Sequence, residues 1–127
     1  MARGVSPEAQ ERLAADRELA DRLPGLLDDA AEADEELRAA QAAGTPETEV
    51  RELAMRLDGA LTDAMRAAYA QRRVEIGPRG YDDWLYRRAR MAKPAVRRWT
   101  MEAERLLTMR EEHRLTGVPR LPIPRAS

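Results

Sequence analysis

Apolar residues recur along this chain at spacings of three and four, the period of one face of a helix. Ser6, Pro7 and Glu8 read as an N-cap, a proline at the first helical position and an acid in the first turn. A helix is predicted from there to Arg22 with Leu13, Leu19 and Leu23 inward, broken by Pro24 and Gly25. Leu26, Ala30, Ala33, Leu37 and Ala40 then form a short coiled-coil-like seam of heptad type, made mostly of alanine. Gly44 suits a C-terminal cap, and Thr45, Pro46 and Glu47 repeat the start signal seen at Ser6. From Pro46 a long helix is expected to about Val74, with Val50, Leu53, Leu57, Leu61, Ala64 and Ala68 on one stripe.

Gly77, Pro78, Arg79 and Gly80 end any helix, and Asp82 or Asp83 can cap the next. Tyr81, Leu85, Ala89, Ala92, Val96, Trp99, Ala103, Leu106, Arg110 and His113 then keep helical spacing. Pro94 interrupts this stripe, because proline lacks a backbone donor and crowds the carbonyl four residues earlier. A kink or two-helix corner is therefore expected near residues 91–93, with the helix ending at Thr116 and Gly117. The tail alternates prolines with Leu121 and Ile123, which excludes helix and favours an extended, polyproline-like conformation. The predicted fold is all-α: a helical bundle or hairpin array of four to five helices with an extended proline-containing C-terminal arm. Residues 1–117 make one helical domain and 118–127 the arm.

Composition changes this picture in one respect. Of 127 residues, 23 are alanine, five are aromatic and none is phenylalanine, so helix propensity is high while each helix has little area to bury. A thin core of this kind favours helices that pack on partners. The absence of cysteine excludes disulfides and thiolate metal sites. Neither a membrane span nor a signal peptide is read from the pattern, and the expected compartment is the cytoplasm.

The net charge of −1 conceals a division along the chain. Residues 1–66 hold sixteen acidic and eight basic side chains, whereas residues 67–127 hold seven acidic and fourteen basic ones. The acidic and arginine-rich halves should attract each other, within one chain or head to tail between chains.

All five aromatic residues fall in the window 69–99, interleaved with nine arginines and lysines. Trp84 lies one helical turn from Arg87 and Arg88, which puts a guanidinium within reach of its indole. Tryptophan, tyrosine and arginine dominate protein interfaces, and they also stack bases and neutralise phosphates in single-stranded nucleic acid. The competing reading makes Trp84 and Trp99 the large core side chains of an alanine-rich bundle. Asp28, Glu32 and Glu35 share a helical face, a solvated one that can meet the arginine-rich segment of a neighbour. His113, the single histidine, reads as a capping or packing residue near a helix end. With serine only at Ser6 and Ser127, no nucleophilic triad can be assembled.

The resulting expectation is a non-enzymatic interaction or assembly component, with no cofactor, no metal, no membrane and no small-molecule substrate. Small alanine- and arginine-rich helical proteins with a proline arm are the sort of part found in larger assemblies, phage particles included. The candidate interface residues are Trp84, Tyr86, Arg87, Arg88, Arg90, Trp99, Leu121 and Ile123. The partner is protein, either a second copy or a heterologous one. The alternative is nucleic-acid binding through residues 69–98. An extended arm has no internal hydrogen bonds and gains order only by burying its apolar side chains on another surface. Deleting residues 118–127 is therefore expected to leave helicity by circular dichroism nearly unchanged while weakening self-association or partner capture. Replacing Leu121 and Ile123 together with serine should reproduce most of that loss. Truncation that unfolds the chain would make the arm an internal clamp instead.

Overall fold

The computed structural model describes residues 4–116, which are all helical apart from their connections. The expected arm, with Leu121 and Ile123, lies outside the described residues. Six helical segments follow one another: α1 (Pro7–Asp21), α2 (Leu23–Ala42), α3 (Glu47–Ile76), α4 (Arg79–Asp82), α5 (Trp84–Arg90) and α6 (Pro94–Thr116). The 30-residue α3 is the spine, and α1, α2 and α6 all pack on it.

The local signals act through specific contacts. Ser6 caps α1, its hydroxyl accepting the amide of Ala9 at 3.0 Å. Gly44, at φ +68°, closes α2 with paired bonds: its own amide to Gln41 at 3.2 Å and the Thr45 amide to Ala40 at 3.0 Å. This double turn satisfies two of the carbonyls a helix end leaves open and reverses the chain into α3.

Two boundaries differ from the sequence reading. α2 begins at Leu23, so Pro24 sits in its first turn, where a missing amide hydrogen costs no helical bond, and only Arg22 separates it from α1. At α3 the residue before the helix is Pro46, and the Thr45 side chain does not cap it.

The expected stripes largely become the core. Leu26, Ala30, Ala33 and Leu37 of α2 are buried against Leu57, Leu61, Ala64 and Ala68 of α3, with Ala103, Leu106 and Met109 of α6 completing the cluster. Arg56 of α3 pairs with Glu36 of α2, so the two helices run antiparallel along the first half of α3. Asp58 of α3 pairs with Arg114 of α6, which makes α6 antiparallel too.

The stripe that begins at Tyr81 fails in its first part. Two chain breaks, at Asp83 and at residues 91–93, divide it, so Leu85, Ala89 and Ala92 face solvent while the alignment with the core resumes at Val96. Pro94 opens α6 at its first position, which gives the two-helix corner expected there.

Removing side-chain volume where α2, α3 and α6 meet leaves a void that alanine neighbours cannot fill. Leu57→Ala, at a fully buried site, is expected to cost about 2–5 kcal/mol in chemical denaturation. Met55→Ala, two residues earlier on the same helix but 69% exposed, is expected to change stability by less than about 0.5 kcal/mol. Equal effects at the two sites would contradict the assignment of the core.

Candidate functional site

α5 is a seven-residue helix started by Asp83, whose side chain accepts the Tyr86 amide at 3.0 Å. That hydrogen bond holds the Asp83 carboxyl below the ordinary carboxylate range. α5 makes its substantial contacts with α4 alone and buries none of its own residues. The corner it packs on is tight: a Cβ added at Gly80 would stand 2.5 Å from the buried Ile76 side chain. Arg87 crosses this corner to donate to the Gly80 carbonyl at 2.8 Å.

The structure brings Trp84, Tyr86, Arg87, Arg88 and Arg90 together on α5. Trp84 is 58% exposed and Leu85 62% exposed, which removes Trp84 from the core. The expected indole–guanidinium contact at Trp84 does not form, because Arg87 is taken by the Gly80 carbonyl; among the described residues the cation–π partners are Tyr69, Tyr81, Tyr86 and Trp99. Tyr86 is gripped by two guanidinium groups, Arg79 at 4.6 Å and Arg90 at 5.6 Å from its ring centre. Trp99 lies elsewhere, on α6, half-buried against the core with Arg98 at 5.4 Å from its ring. It lines a cleft of about 450 Å³ between the α1–α2 corner and α6, with Leu23, Leu27 and Gln71 opposite.

Sequence reasoning missed two members of this surface. Leu85 was assigned to a core stripe, and Met101, also exposed, was assigned no role. Met101 shares an outward groove of α6 with Pro94, Arg97, Arg98 and the Glu102–Arg105 ion pair. The signal for Leu85 was the pair of breaks at Asp83 and Pro94, which bracket a helix too short to carry a stripe to the core.

Charge on this surface is unusual. Residues 84–101 contain Arg87, Arg88, Arg90, Lys93, Arg97 and Arg98 and no acid at all. Among the described residues, the ion pairs draw their cations from Arg38, Arg51, Arg56, Arg73, Arg79, Arg105, Arg110 and Arg114, and none from this run.

Elsewhere several charges are paired within the molecule. Asp16 of α1 accepts both Nε and Nη2 of Arg73 at 2.7 and 3.0 Å, and the Tyr81 hydroxyl as well. Burial works against ionisation of Asp16, but the Arg73 and Tyr81 hydrogen bonds outweigh it, so its carboxyl lies below its ordinary value. Burial and the same carboxylate push the Tyr81 hydroxyl well above the usual phenol range. Ser6 donates its amide and hydroxyl to Asp82 at 2.9 and 2.6 Å, pinning the start of α1 to α4. At the far end, Arg114 holds Asp58 at 2.7 and 3.1 Å and keeps that carboxyl below its ordinary value. His113 is 95% removed from solvent by its 5% exposure, and its Nε2 donates to the Ala54 carbonyl at 2.7 Å, as a packing role requires.

Among the described residues no group of acids and histidine has the arrangement of a metal site, and no helix is long and apolar enough to cross a membrane. Comparison with protein-family models, with curated proteins and with solved structures returned no match.

The depressed carboxyls link stability to pH. A group whose folded pKa lies below its unfolded value of 3.8 stabilises the fold above that value and loses this contribution as pH falls through the folded pKa. Asp16→Ala is expected to cost about 1–3 kcal/mol at neutral pH. Its deficit against the parent protein should shrink as pH falls below 3.8 and through the lowered folded pKa of Asp16, beyond which neither protein carries a charge at this site. Urea denaturation across this range is the check, and a deficit independent of pH would show that the Asp16 contacts are not ionic.

Proposed function

We propose that the protein is a non-enzymatic helical interaction module, a part of a larger assembly, that docks through the elbow formed by α5 and the start of α6. In this reading it is a helical bundle with an extended C-terminal arm, working in the cytoplasm and associated at micromolar concentration with copies of itself or with a protein partner. The observation that carries the reading is the exposure of Trp84 and Leu85 on a helix whose substantial contacts are with α4. Large apolar side chains beside arginine, projecting from a rigid corner, have the composition of an interface centre, where a few such residues supply most of the binding energy. Tyr86, fixed between Arg79 and Arg90, keeps α5 in one orientation before any partner arrives, which lowers the ordering cost of association.

A second reading, nucleic-acid binding, is favoured by one observation, the six cations of residues 84–101, none of which enters an ion pair among the described residues. The sequence pI of about 5.9 and the acidic first half weigh against it, because a polyanion would meet repulsion from the rest of the molecule.

The double variant Trp84→Ser, Leu85→Ser tests the first reading. Neither side chain is in the core, so the thermal midpoint should hold within a few degrees while association weakens about tenfold or more. Sedimentation velocity over a concentration series reads both the monomer and its complexes. An unchanged association constant would remove α5 from the interface.

A further inference from the structure

The elbow has a counterpart of opposite sign on the same molecule. Residues 23–37 carry Asp28, Asp29, Glu32, Asp34, Glu35 and Glu36 and no arginine or lysine, six negative charges against the six positive charges of residues 84–101. Asp34 pairs with Arg38 and Glu36 with Arg56. Asp29 and Glu32 are exposed, one turn apart on the outer side of α2.

Within one chain Leu23 and Leu27 share a cleft with Arg98 and Trp99, but among the described residues no ion pair joins the acidic run to the basic one. The same charges on two molecules can approach to contact.

We infer that the occupant of the elbow is the α2 face of a second copy of this chain, with Arg88, Lys93 and Arg97 of one molecule set against Asp29 and Glu32 of the next. The inference rests on the elbow being an interface and names its partner. Charge complementarity sets the register and orientation of the contact, and Trp84, Leu85 and Met101 supply its apolar area. The two faces are different surfaces of one molecule, so they meet either reciprocally in a two-fold dimer or head to tail in rings or open chains. Nucleic acid would take the same cations but has no use for the acidic face, and this separates the two occupants.

Complementary charge reversal is the test. One variant carries Asp29→Arg and Glu32→Arg, and the other Arg88→Glu, Lys93→Glu and Arg97→Glu; all five positions are exposed, and circular dichroism melts establish that both variants fold. In low-salt buffer the parent protein should form dimers or larger complexes by light scattering, dissociating as salt rises. Each variant alone should associate about a hundredfold more weakly, and an equimolar mixture of the two should recover the complexes. That recovery requires both faces, and no other partner produces it.

Three results would overturn the inference. An α2 variant that associates like the parent while the elbow variant does not leaves the elbow as an interface and removes α2 as its partner. A parent that stays monomeric at low salt and high concentration excludes the second copy altogether. A single-stranded oligonucleotide whose salt-sensitive gel shift survives Asp29→Arg, Glu32→Arg but is lost with the elbow substitutions, in the absence of recovery on mixing, assigns the cations to phosphate.

Discussion

Close packing on alanine is the constraint from which the rest of this structure follows. Ala64, Ala67 and Ala68 of α3 are fully buried in one cluster with Ala30 and Ala33 of α2 and Ala103 of α6. Small side chains let helix axes approach toward the short end of the usual separation of about 8–10 Å, which aligns long helices but buries little area per residue. Leucine at 37, 57, 61 and 106 supplies the bulk that alanine lacks, all of it along the joint of α2, α3 and α6. One helix in contact with three others is the arrangement such a composition permits, since no helix here carries enough apolar area to hold two layers together.

Where apolar area runs out, charge takes over. α1 buries only Ala9, Leu13 and Ala20, and its place on α3 and α4 is fixed by Asp16 with Arg73 and Tyr81, and by Ser6 with Asp82. The end of α6 is fixed by Arg114 on Asp58 and His113 on the Ala54 carbonyl. These contacts are directional, so they specify register more than they add stability, and their bidentate geometry suits arginine better than lysine. The ion pairs among the described residues all take their cations from outside residues 84–101, where Arg87, Arg90 and Arg98 contact a carbonyl or an aromatic ring instead.

Much of the fold was legible because its signals are local. The proline and acid after Ser6, the glycine at 44 and the stripe from Leu57 to Ala68 each act within one or two helical turns, and each appears where expected. The aromatic and arginine window was equally legible as composition. Its arrangement was not, because it depends on contacts far apart in sequence. Nothing near Trp84 announces that Arg87 will turn to the Gly80 carbonyl, or that Tyr86 will lie between Arg79 and Arg90. Nothing near Asp16 announces Arg73, 57 residues away. Helical spacing by itself also carried Leu85 into the core, since periodicity is blind to a helix too short to reach it.

The molecule is held together along α3, while α5 stands outside that core, ordered by its own corner and exposed to solvent. Hydrogen exchange of backbone amides in dilute protein tests this most directly, since protection reports the free energy of local opening. Amides in the middle of α3, around Leu57 to Ala68, are expected to exchange only through global unfolding, and those of α5 much faster. An α5 as strongly protected as the centre of α3 in the dilute protein would contradict the account, because it would make the elbow part of the core.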